Sequence, residues 1–135
     1  MIEAQAIWTD HDRFIGVASS GHAIVVDAGK QPAGNGPMEL VLMGLCGCTG
    51  VDVVSILRIK REPFTGVEVR AEAEREPKAP SVYSSIRLVY RISGKVSRQA
   101  AEDAVRLSEE KYCSVAAMLN KTAKITYEIE LDESA

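Results

Sequence analysis

Between Leu40 and Leu57 the chain runs for eighteen residues with a single charge, Asp52, and this stretch limits the possible folds more than any other. Its length is close to what a membrane-spanning helix needs. An uncompensated aspartate near mid-membrane costs about 2.5 to 3.5 kcal/mol, and Gly44, Gly47 and Gly50 weaken a lone span, so a buried helix with no membrane is expected. A helix that is apolar nearly all round must be covered on every side. A chain of 135 residues has little else to cover it with, and a second chain could supply the missing surface. The composition, 46% hydrophobic and 26% charged, is that of one globular domain over residues 1–135. A net charge of −3 offers no electrostatic footprint for nucleic acid or an anionic membrane.

Ahead of the apolar stretch, Ile2, Ala4, Ala6 and Trp8 alternate with Glu3, Gln5 and Ile7, and short apolar runs follow at Phe14 to Ala18 and Ala23 to Asp27. These read as a three-stranded antiparallel meander. Gly29 through Pro37 has loop composition, and its end reads as a helix start, with Asn35 or Gly36 as cap and Pro37 in the first position. The helix is expected to run to about Lys60, with Arg58, Lys60 and Arg61 at its carbonyl end and Pro63 as the stop.

Val67, Val69, Ala71 and Ala73 alternate with Glu68, Arg70, Glu72 and Glu74, and a second alternation runs from Ile86 to Ile92, so a hairpin is expected around a long connection broken by Pro77 and Pro80. Ser97 is placed to cap a helix from Arg98 to about Lys111, and Ser114 to restart a short one through Leu119. Ile125 to Leu131 alternates as a final strand. The expected order is βββ-α-ββ-α-α-β.

Three cysteines cannot all pair within one chain, and a domain of this size needs no disulfide framework. Met1-Ile2-Glu3-Ala4 has neither the basic region nor the apolar run of a signal peptide, so the chain is expected in the cytoplasm, where thiols stay reduced. Cys46 and Cys48 point about 200° apart around a helix and cannot share one site. Cys46 falls on the face of Leu42, Met43, Val53 and Leu57 and reads as a packing thiol, whereas Cys48 shares its face with Asp52 and Ser55. That face suits either a pocket lining or plain packing. Cys113 stands just before a helix start, where a thiol pKa is lowered, and also suits a packed corner. The spacing Cys46-Gly47-Cys48 fits no zinc site, and His11 and His22 lie far away in sequence.

Pro37-Met38-Glu39-Leu40, followed by Leu45-Cys46-Gly47-Cys48-Thr49 and later by Glu110-Lys111-Tyr112-Cys113-Ser114-Val115, resembles the OsmC/Ohr family over essentially the whole chain. Asp52-Val53-Val54-Ser55-Ile56-Leu57 looks most like the YhfA-type branch of it. The resemblance implies an α+β fold in which antiparallel sheets wrap around long central helices in an intertwined homodimer. It also implies a peroxidase. A Cys48 thiolate would attack an organic hydroperoxide and become a sulfenic acid, Cys113 would resolve it as a disulfide, and an external dithiol, typically a lipoyl group, would reduce that disulfide. No metal, haem or other cofactor is implied.

In the best-known branch an arginine from the N-terminal strands and a glutamate directly after the proline support the reactive thiol. Here Arg13 is the candidate arginine, Met38 stands in the glutamate's place, and Glu39, one residue later, faces about 180° from Cys48 in a straight helix. Glu39 also suits a first-turn helix acid, and Arg13 a solvated turn charge. Asp52, one turn beyond Cys48, would raise the thiol pKa unless a cation pairs with it. The second reading of the same fold is a non-catalytic binder of a small molecule or acyl ligand in an apolar pocket, and the third is a purely structural dimer.

Overall fold

The computed structural model describes residues 1–134. They form two compact units, one from Met1 to Met43 and one from Gly44 onward, and the long helix contributes to both.

In the first unit, β1 (Ala4–Asp10), β2 (Arg13–Ala18) and β3 (Ala23–Asp27) form the expected antiparallel meander. Asp27 fastens the following loop. Its carboxylate is buried and accepts the N–H groups of Gly29 and Ala33, both at 2.9 Å, and Arg13 Nε at 3.1 Å. The two backbone bonds, with the guanidinium behind them, hold its pKa below the usual carboxylate value against the opposing effect of burial. Helix α1 (Pro37–Ile59) then starts as the sequence predicts, with Pro37 in its first turn.

Along α1, Leu45, Thr49, Val53 and Leu57 recur every fourth residue, and all four are fully buried. By length and composition α1 would also reach across a membrane, yet only 22% of its most apolar window is buried in the chain. Val51 (67% exposed) and Ile59 (80%) stand in the open.

The second sheet has the order β4 (Phe64–Arg75), β5 (Tyr83–Gly94), β6 (Lys124–Asp132). The hairpin strands are longer than their alternating patterns alone indicate. β5 is central, and Leu88, Val89 and Tyr90 are all within 1% of complete burial.

The expectation of antiparallel sheets fails at β6, which pairs with β5 in parallel, Ile86 against Ile125 and Tyr90 against Ile129. The cause is the connection. Between β5 and β6 the chain passes through three helical pieces, a crossover long enough to return the strand in the same direction, which a hairpin turn cannot do.

The crossover departs from expectation at one further point. Helix α2 (Arg98–Leu107), capped by Ser97 Oγ on the Ala100 N–H at 3.2 Å, ends before Lys111. It widens into a π turn over Ser108–Tyr112, closed by the Cys113 N–H on the Ser108 carbonyl at 2.8 Å. Helix α3 (Ser114–Leu119) follows, with Cys113 as its cap. The wide turn carries Ser108, whose side chain is fully buried and bonded to α1.

Candidate functional site

The fourfold stripe of α1 places Thr49 in the core between Leu45 and Val53, where a hydroxyl without partners would cost about 1–3 kcal/mol. It has two. Thr49 Oγ1 lies 2.7 Å from Tyr90 OH on β5 and 2.7 Å from Ser108 Oγ on the π turn. Ser108 Oγ donates to Asp52 Oδ2 at 2.9 Å, and Tyr90 OH lies 2.6 Å from Glu109 Oε1. Asp52, Ser108, Thr49, Tyr90 and Glu109 therefore form one unbranched string of oxygens. Among the described residues no buried side-chain nitrogen or oxygen lacks a partner.

Burial sets the electrostatics of this string. It pushes the Tyr90 phenol pKa far above its ordinary value, with the Glu109 carboxyl adding to the rise. It raises Glu109 as well, against the lowering effect of the Tyr90 hydrogen bond.

Cys48 is the residue before Thr49 and is half-buried, whereas Cys113 is buried. The Cys113 sulfur accepts the Ala116 N–H at 3.3 Å. A helix N-terminus was expected to lower this thiol's pKa, and that bond does act in the lowering direction. Burial outweighs it, and the neighbouring Cys48 thiol and Glu109 carboxyl add to the rise, so Cys113 is pushed up to about 12. A helix of six residues has too little dipole to reverse this. The tertiary fold thus makes neighbours of two free thiols from α1 and the α2–α3 junction.

The remaining candidates have other partners. Glu39 Oε1 accepts the Gly36 N–H at 2.9 Å, the reciprocal half of a capping box, so its carboxylate is engaged at the helix start. Arg13 pairs with Asp27 at 3.1 Å and Asp10 at 3.2 Å. Asp52 was open to pairing with a cation, and among the described residues it makes no ion pair; its partner is the Ser108 hydroxyl. Cys46 is half-buried and its pKa is raised by burial. It lines an open groove of about 480 Å³ with Gly50, Val54, Val67 and Val69.

Sequence reasoning missed Thr49, Tyr90, Ser108 and Glu109. The available signal was Thr49, a lone hydroxyl four residues after Leu45 and four before Val53 on the core stripe of an apolar helix.

The sequence profile of the OsmC-like protein family matches residues 29–128. Protein YhfA of Escherichia coli strain K12 is 40% identical over 131 residues, covering 96% of this chain and 98% of that protein. A hypothetical protein of Aquifex aeolicus VF5 superposes with a TM-score of 0.85 at 35% identity, covering 98% of each chain. An organic hydroperoxide resistance protein OsmC of Legionella pneumophila superposes at 0.73 with 14% identity, covering 96% of each chain, which is a likeness of fold.

Proposed function

The chain belongs to the OsmC-like family, and from that premise we propose that it is a cysteine-based peroxidase that reduces organic hydroperoxides through Cys48 and Cys113. The observation that carries this reading is the adjacency of the two thiols, one half-buried and one buried. The accessible Cys48 suits the attacking role and the sheltered Cys113 the resolving one.

The Cys48 thiolate forms an S–O bond to the peroxide, the O–O bond breaks, and the alkoxide leaves with the proton given up by the thiol, as an alcohol. Cys113 sulfur then attacks the sulfenic acid. An S–S bond forms, the S–O bond breaks, and hydroxide departs with the Cys113 proton as water. An external dithiol, of the lipoyl type, donates two electrons and two protons to restore both thiols. The reading places the cycle in the cytoplasm.

The protein acts in this reading as a homodimer. Support comes from the exposed apolar side chains of α1, Val51 and Ile59 among them, which a second copy would cover. The groove beside Cys46 favours the second reading, a binder of a small apolar or acyl ligand on the same fold.

The test is peptide mass spectrometry of the reduced protein after stoichiometric cumene hydroperoxide, with Cys48→Ser and Cys113→Ser controls. The expected result is rapid formation of a Cys48–Cys113 disulfide, with sulfenic acid trapped on Cys48 when Cys113 is replaced. Unmodified thiols would sink the peroxidase and leave ligand binding as the leading reading.

A further inference from the structure

The string of oxygens from Asp52 to Glu109 has four contacts, of 2.9, 2.7, 2.7 and 2.6 Å. Two oxygens this close repel unless a hydrogen lies between them, so four contacts need four protons. Ser108, Thr49 and Tyr90 bring one hydroxyl proton each, which makes three. Ionised carboxylates at both ends would bring none. One carboxyl in the string must therefore hold the fourth proton.

We propose that Glu109, Tyr90, Thr49, Ser108 and Asp52 form a proton relay that stores one carboxylic proton and passes it between the Cys113 end and the Cys48 end. At rest the proton sits on half-buried Glu109, whose neutral form desolvation favours. Glu109 donates to Tyr90, Tyr90 to Thr49, Thr49 to Ser108, and Ser108 to the Asp52 carboxylate. All four hydrogens then point one way, and a shift of each by one oxygen moves the proton from Glu109 to Asp52. The same contacts serve in reverse.

Both ends stand beside a thiol. Glu109 is close enough to Cys113 for its ionised carboxylate to raise the thiol's pKa, and Asp52 lies one helical turn beyond Cys48 on α1. When Cys113 attacks an oxidised Cys48, its thiol proton enters at Glu109 and one leaves at Asp52 for the departing hydroxide. Rotation of the hydroxyls resets the string. Among the described residues no other ionisable side chain bonds to any member; the Tyr127 ring meets Tyr90 only by its edge, with centroids 6.1 Å apart. The transport half of the proposal rests on the thiol pairing proposed above, whereas the stored proton does not.

Infrared spectroscopy of the reduced protein at neutral pH reads the stored proton directly, as the carbonyl stretch of a protonated carboxyl that moves on deuteration. Thr49→Val removes one hydroxyl proton and two contacts, leaving Tyr90 to fill the bond to Glu109 and Ser108 the bond to Asp52. Ser108→Ala likewise leaves two contacts and two hydroxyl protons. The band is expected in the wild-type protein and in Thr49→Ser, and is expected to vanish in Thr49→Val and Ser108→Ala, with far-ultraviolet circular dichroism verifying each fold. Its persistence in folded Thr49→Val would mean an acid kept neutral by burial alone and would overturn the relay, as would its absence from the wild-type protein. For transport, disulfide closure driven by diamide, which needs no peroxide chemistry, is expected to slow about a hundredfold in Thr49→Val relative to Thr49→Ser. Equal rates would overturn that half. A protein that shows the band yet ignores hydroperoxide would refute the peroxidase and leave the stored proton standing.

Discussion

Replacing Tyr90 by Phe tests the energetics of the buried string through stability alone. The ring is fully buried and meets Tyr127 edge-on, so Phe keeps its packing and opens no cavity beyond one oxygen. The loss is two short hydrogen bonds, at 2.7 Å to Thr49 and 2.6 Å to Glu109. Thr49 still has Ser108 at 2.7 Å, so the cost concentrates on Glu109. A buried polar group left without its partner costs about 1–3 kcal/mol, and more when it is charged.

The cost therefore depends on pH. Burial raises Glu109 above its ordinary value of 4.5 in the folded state, and the Tyr90 bond opposes that rise. Between the unfolded and folded pKa values the native state holds more protons, so stability falls as pH rises through that window. Once Glu109 ionises, the Tyr90 hydroxyl turns to donate to its carboxylate, which is the lowering effect; Phe removes that bond, moves the folded pKa higher and prolongs the fall. Urea unfolding is expected to give a loss of about 1 kcal/mol near pH 5 and about 3 kcal/mol near pH 8, the latter a midpoint shift of about 1–3 M. A loss that is equal at the two pH values, or larger on the acid side, would refute the assignment of Glu109 as the group Tyr90 serves.

Two further predictions concern single sites. Cys113, pushed up to about 12, is expected to stay a thiol at about pH 8, with a thiolate fraction of about one in ten thousand, so its alkylation by iodoacetamide in the folded protein should be slower by about three orders of magnitude than that of an unperturbed cysteine. Mass spectrometry of timed samples checks this, and Cys48→Ala should speed the reaction by removing one of the raising neighbours. Gly94 holds φ at +105°, and a Cβ there would stand 2.5 Å from the Pro63 carbonyl oxygen, so Gly94→Ala is expected to destabilise by more than about 1 kcal/mol, measured as a lower thermal midpoint.

Features held within a few residues were legible in the sequence. Pro37 opens α1 and Pro63 follows its end, Ser97 caps α2, and the alternations at Val67 to Ala73 and Ile125 to Leu131 are strands, because each signal and its structure share the same backbone neighbourhood. The first-turn alternative for Glu39 was legible for the same reason, since a capping box is complete within four residues. The direction of β6 was not legible. Its alternation fixes a strand and its faces, while parallel pairing depends on the path of the whole crossover.

The sequence by itself determined an apolar helix that one chain cannot fully cover, the order of its elements, and membership of a family through two cysteines in recognisable settings. Tertiary structure decided what those cysteines experience. Cys113 follows a helix-start pattern that lowers a thiol pKa, yet burial and the nearness of Cys48 raise it, because desolvation depends on neighbours that no local pattern names. The oxygen string depends on the same kind of long-range meeting. Thr49, Tyr90 and Ser108 each have an ordinary local reading on a helix, a strand and a helix end, and they became one network only when three distant elements closed around a core that buries all three side chains.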